Sequence, residues 1–355
     1  MSKLTQQKIR LLGNEMAAPL YRLHDLAYRT QYAEVKERTN AAGPLLPGTP
    51  GSLYKRDGTG HAYWYRIYYP MPGKQAEEWV GSADDEAARV VMLERMAHAQ
   101  WTVEQVSNLR KLRYQVADKG VGNVLVELYN RNVLEAGLVV VGTLAYMSWL
   151  NEHGAIAVAA RTQDLDLARR QHLTLAAPLP FLASVKATQL PFQPIPGMPS
   201  NQPSTSVKLP GRDGLRVDIL APGQELGKII QIPELQWHAQ AVPYYDYLLE
   251  DPQNAAMLAG GHCIPIALPR IDRMIWHKIY ASANRTRTPA KAEKDLQQAA
   301  TLAAIVVEQD GLSLGPSLAE APAKLQNAVR SRLPRLHALL VAHPETQDAL
   351  RTLSK

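Results

Sequence analysis

The stretch that most constrains this chain is RTQDLDLA, residues 161 to 168. Side chains in a β-strand alternate between its two faces. Read as a strand, the segment sends Leu165 and Leu167 one way and Thr162, Asp164 and Asp166 the other. The two carboxylates then lie about 7 Å apart along the chain. Ionised acids so placed repel each other, and burial raises one pKa unless a cation intervenes. Mg²⁺ resolves the conflict, because it is usually held by one or two carboxylates together with substrate phosphates. Alone, the pair is a weak signal, because most such pairs are solvated surface charge.

Three further features give the pair a context. VVVGTLAYMSWL, residues 139 to 150, reads as strand, Gly142-Thr143 turn and helix. Glycine there lets backbone approach a ligand closely. The helix N-terminus offers free N–H groups and a positive dipole end to phosphate, and Thr143 adds a hydroxyl. Next, Asp218 in RVDIL lies between apolar Val217 and Ile219 on a later strand, where a lone acid is costly to bury. It makes sense as a third carboxylate facing the first two, holding metal or drawing a proton from an attacking hydroxyl. Finally, Lys278 and Arg285 are seven apart on one helical stretch and share a face. Lys278 could reach a nucleotide's phosphates, and Asp295 could pair with Arg285. An ordinary solvated basic face fits the same residues.

The bulk numbers set wider bounds. Lys and Arg number 39 against 33 Asp and Glu, giving a net charge of +6, which permits a polyanionic partner without requiring one. The single cysteine, Cys263, excludes an internal disulfide and reads as a core residue. MSKLTQQKIRLL has no apolar signal core, and no run reaches the ~18–20 residues of a membrane span. The expectation is a cytoplasmic protein with no membrane partner. There is no GxxxxGK[ST], HExxH, CxxC or GxSxG, so a P-loop, a zinc site and a serine hydrolase elbow are not indicated.

Three regions are expected. Residues 1–117 read as a helix over 3–40, a Gly/Pro-rich linker and a small three-stranded sheet, then a helix capped from Ser82 to Asp85 and running to about 116. Residues 118–235 hold the motif-bearing core, with a helix over 119–136, strand 138–141, helix 144–154 and a strand at 215–220. A Pro-rich stretch over 178–211 reads as a long loop or flap. From about 240 onward the pattern reads as helical, making 236–355 a helical domain. The small sheet, with its HAYWYRIYY strand, resembles the arm-type DNA-binding domains of phage integrases, although a plain structural or dimerising sheet fits it as well.

The order and spacing of four motifs carry a broader resemblance: Gly142 to Tyr146, Thr162 to Ala168, Val217 to Leu220, and His277 to Ala299. Together they resemble the DNA-polymerase-β-type nucleotidyltransferase superfamily. More narrowly they are similar to a bacterial family of that fold with an N-terminal extension bearing a "YWY" strand. The likeness spans roughly residues 50 to 305. It implies an α+β fold with a mixed sheet, a small N-terminal β module and a C-terminal helical region. It implies transfer of a nucleoside monophosphate from an NTP, ATP among them, to a hydroxyl, with pyrophosphate leaving. Asp164, Asp166 and Asp218 would hold Mg²⁺, or Mn²⁺ in its place. Gly142, Thr143, Thr162, Lys278 and Arg285 would bind the nucleotide. The acceptor would be RNA, such as a tRNA end, in a toxin or phage-defence setting. A protein acceptor in a toxin–antitoxin pair and a non-catalytic nucleic-acid-binding role are the rivals, and a homodimer is open to it. Gly-Thr in place of the usual Gly-Ser or Gly-Gly, and the long gap from Gly142 to Asp164, depart from the superfamily pattern.

Overall fold

A computed structural model describes residues 18–158 and 162–354. The reading of a helix over 3–40 therefore lies outside the described residues up to position 17. Strands are numbered in chain order: β1 (Tyr21–Leu23), β2 (Ser52–Asp57), β3 (Ala62–Met71), β4 (Lys74–Ser82), β5 (Leu138–Val141), β6 (Ala155–Ala157) and β7 (Asp164–Arg169). They continue with β8 (Gln193–Pro194), β9 (Ser206–Lys208), β10 (Arg216–Pro222), β11 (Ile229–Ile232), β12 (Trp237–Val242), β13 (Gln253–Ala259) and β14 (His262–Leu268). The architecture is α+β, and the chain divides into two compact units.

The larger unit spans 24–154 and 159–270. Its centre is a mixed sheet ordered β11-β12-β10-β7-β5-β14-β13. β10 runs parallel to β7 and to β12, β5 runs antiparallel to β7, and β14 runs parallel to β5. All four residues of β5 are buried, and β7 and β10 bury Leu165, Leu167, Val217 and Ile219 on one face. A continuous apolar run like that of β5 is what a strand covered on two sides requires. A second sheet, β2-β3-β4, is antiparallel throughout. The helix Glu86–Lys111 packs beside it, with Asp85 as N-cap accepting from the Ala88 amide at 3.0 Å. Ser82, expected to start that helix, is instead the last residue of β4.

Three other expectations change. The helix from Lys119 stops at Asn130, ahead of a run of turns to Gly137. The Pro-rich stretch is structured: it contains the helix Phe181–Ala187 and the strands β8 and β9, because Phe181, Val185, Phe192 and Val207 are buried anchors. The region after 240 is not wholly helical. β13 and β14 form a seven-residue hairpin ladder that extends the central sheet, turning at Gly260 and Gly261, whose φ angles of +59° and +110° suit glycine.

Among the described residues, the smaller unit comprises 18–23, 155–158 and 271–354. β1 pairs antiparallel with β6. The helices Ile271–Asn284, Pro289–Asp310, Gly315–Glu320, Ala323–Leu339 and Pro344–Arg351 follow. In its interior the Glu308 carboxylate accepts from Tyr21 Oη at 3.0 Å and from Thr346 Oγ1 at 3.2 Å, and meets His343 Nδ1 at 3.0 Å. Among the described residues, no helix is long and apolar enough to cross a membrane.

Candidate active site

Strand pairing brings the three sequence-selected acids together. In the parallel β7–β10 pair, Asp166 lies opposite Asp218 and Asp164 opposite Arg216. Residues in register on neighbouring strands share a face, and so do residues two apart on one strand. Asp164, Asp166, Asp218 and Arg216 therefore present one face, while Leu165, Leu167, Val217 and Ile219 are buried. This is the alternation read from DLDL, repeated on the adjacent strand. Neighbouring strands are about 4.8 Å apart, so Asp166 and Asp218 are nearest neighbours.

The Gly142 turn meets this face. Antiparallel pairing places Val141, the last residue of β5, opposite Asp166. Gly142 then turns with φ +72° and opens the helix Gly142–Glu152. A Cβ at Gly142 would overlap Asp166 Oδ2 and lie 3.2 Å from its Cγ. The carboxylate thus occupies space that only glycine leaves free. Thr143, in the first helical turn, is buried. Thr162 Oγ1 accepts from the Asp164 amide at 3.1 Å, fixing the chain as it enters β7.

Asp218 is held from its own side. Arg216 Nε donates to Asp218 Oδ1 at 2.8 Å, Arg216 Nη2 donates to Ser206 Oγ at 2.9 Å, and Ser206 Oγ donates to Asp218 Oδ1. Ser206 arrives on β9, whose antiparallel register sets it opposite Asp218. Sequence reasoning missed Arg216 and Ser206. The alternation Arg216-x-Asp218 was visible, but Ser206 is set in place only by the pairing of β9 with β10.

Lys278 and Arg285 belong to the helical unit. Lys278 Nζ donates to Gln298 Oε1 at 2.6 Å and lies 3.6 Å from Asp295 Oδ1; Lys278 and Asp295 are both buried. Arg285 Nη1 lies 2.7 Å from Asp295 Oδ2, the pairing expected from the sequence, with the Arg285 side chain 43% exposed. A nucleotide contact by Lys278 would require it to leave these partners, whereas Arg285 already reaches solvent.

Among the described residues, no group of three His, Cys, Asp or Glu side chains is gathered as a finished metal cage. The donor chemistry of the acidic face is of the kind magnesium takes, with Arg216 already paired to Asp218 Oδ1. Its donors are all carboxylate oxygens, two of them on register neighbours, and the Gly142 turn cradles one. Mg²⁺ takes one or two carboxylates and completes its shell with water and substrate phosphate, so a full protein cage is not required. Cys263, by contrast, is buried in the core and its thiol is pushed up to about 12 by burial, which leaves it unsuited to nucleophilic work.

A mixed sheet with a strand–Gly–helix turn facing acids on two parallel strands is the arrangement that the resemblance to nucleotidyltransferases implies. A family model described as nucleotidyltransferase matches residues 119–322, more than half of the chain, and the protein belongs to that family. The match contains every acid and turn residue discussed above and leaves the β2-β3-β4 sheet outside it. No curated protein matches the chain.

Proposed function

We propose that this enzyme moves a nucleoside monophosphate from an NTP to a hydroxyl of a nucleic-acid acceptor, with RNA such as a tRNA end as the favoured class. The observation that carries the proposal is the register of Asp166 with Asp218 beside the Gly142 turn. Asp164, Asp166 and Asp218 would hold Mg²⁺, which when bound neutralises the phosphates and supplies Lewis-acid assistance. Gly142 lets the backbone come close to the triphosphate, and the helix it opens points free amides and a positive dipole end at anionic oxygens. Thr143 and Thr162 add hydroxyls at the edge of this face. The alternative role for Asp218, in place of metal binding, is to accept the proton of the attacking hydroxyl, with Arg216 and Ser206 fixing its orientation. The excess of basic residues supports a polyanionic acceptor.

The test is transfer of label from each of four α-labelled NTPs into total RNA and total protein, comparing wild type with the Asp164→Ala/Asp166→Ala double variant. Label entering RNA only with wild type is expected. Label entering protein instead would move the acceptor to the rival class, and equal labelling by both forms would reject the site.

A further inference from the structure

The three-stranded sheet carries a row of aromatic rings that the catalytic face does not use. Tyr54 on β2 lies opposite Tyr65 on β3, and Tyr65 lies opposite Trp79 on β4. Register partners share a face, so the three rings cross the sheet side by side. The opposite face is the inner one: it presents Arg66 and Tyr68, both buried, with Gly81 set against Ala88 of the neighbouring helix. The ring-bearing face is open, and Trp79 is 61% exposed. With Tyr54 and Tyr65 beside it, the indole forms part of one contiguous aromatic patch.

A planar cation completes the row. The Arg56 guanidinium lies over Tyr65 at 4.6 Å from the ring centre and over Tyr54 at 5.3 Å. Glu77, on the same face, fixes it with two hydrogen bonds of 2.9 and 2.8 Å. Tyr54 and Tyr65 are 5.7 Å apart, tilted by 30°. Flat rings interleaved with arginine on an open sheet form a stacking platform for unpaired bases, because every base has a π-face and the cation reinforces the contact. Tyr, Trp and Arg also anchor protein interfaces; what favours a base here is the guanidinium already lying over two of the rings.

The platform is tied to the catalytic sheet. Asn123 Nδ2 donates to the Pro70 carbonyl at 2.8 Å, joining the end of β3 to the helix Lys119–Asn130. That helix is preceded by Asp118, which accepts from Gln163 Nε2 at 3.4 Å, one residue before Asp164. Sheet and acids thus belong to one unit through a short chain of bonds.

We infer that the outer face of β2-β3-β4 binds single-stranded nucleic acid by stacking bases on Tyr54, Tyr65 and Trp79. Its role as an acceptor platform rests on the nucleic-acid reading above; the binding itself does not. The experiment is fluorescence anisotropy with labelled 12-nucleotide single-stranded RNA and DNA of one sequence at fixed salt. Trp79→Ala should weaken binding about tenfold or more, and Trp79→Phe should keep most of it. Tighter binding of RNA than DNA, or equal binding of both, supports the platform if it depends on Trp79. No binding by wild type, or equal affinity of wild type and Trp79→Ala, overturns it. So does a change in oligomeric mass by light scattering on Trp79→Ala with oligonucleotide affinity intact, which would make the face a protein interface. Trp79-dependent binding without nucleotide transfer to RNA would refute the acceptor assignment and leave the platform standing.

Discussion

Replacing Gly142 with alanine tests the heart of the site with one methyl group. Two costs follow from the structure. The first is conformational: φ at Gly142 is +72°, and a residue bearing a Cβ pays roughly 1–2 kcal/mol in that region. The second is steric: the new Cβ would overlap Asp166 Oδ2 and lie 3.2 Å from Cγ. Ordinary contact begins near 3.5 Å, so the carboxylate must rotate or the turn must move by on the order of 1 Å. A displacement of that size at a reacting centre costs about 100-fold in rate. The variant should therefore lose about two orders of magnitude in nucleotidyl transfer. Its melting temperature should fall by only several degrees, since 1 kcal/mol corresponds to about 2–4 °C in a domain of 150–250 residues. Labelled-NTP transfer and circular-dichroism melting on the same preparation make the comparison. Near wild-type transfer by Gly142→Ala would refute the claim that the turn and Asp166 form one site.

Two further outcomes are expected elsewhere in the fold. Burial, reinforced by the Lys119 charge, lowers the His262 pKa from 6.5 to about 4. Below pH 6.5 the unfolded chain takes up a proton that the folded protein refuses, so this contribution is intact above 6.5 and is lost as pH falls toward 4. The loss amounts to about 3 kcal/mol; urea unfolding between pH 7 and 4.5 should show a steeper decline in wild type than in His262→Gln, and parallel curves would contradict it. Lys278→Met should destabilise the helical unit by about 1–3 kcal/mol, because Asp295 stays buried with Arg285 as its remaining cation. An unchanged or raised melting temperature would show that the buried pair contributes nothing.

The site was legible where its residues announce themselves over short spans. Alternation in DLDL and in RVDIL fixed which side chains enter the core, and Gly-Thr after four buried aliphatics marked the turn. These signals are local, and strand pairing then set Asp166 against Asp218. The parts that escaped depend on distant segments. Ser206 reaches Asp218 only because β9 pairs with β10, and nothing near Ser206 in the chain implies that register. The hairpin β13–β14 was read as helix because AAMLA and IPIAL are short apolar runs whose periodicity does not separate the two states. The Gly260-Gly261 pair between them is the hairpin signal. The Pro-rich stretch read as a flap because prolines interrupt any pattern there, yet Phe181 and Phe192 pin it to the core. Lys278 was visible as a cation on a helical face, whereas its burial against Asp295 and Gln298 depends on the packing of two helices.

The central claim is that Asp164, Asp166 and Asp218 serve one metal beside the Gly142 turn. Crystals grown with Mn²⁺ and a non-hydrolysable NTP, with data collected at the manganese edge, test it most directly. The expected result is an anomalous peak against these carboxylates, with the triphosphate over Gly142 and Thr143. A peak bound elsewhere, or a triphosphate seated away from that turn, would contradict the account.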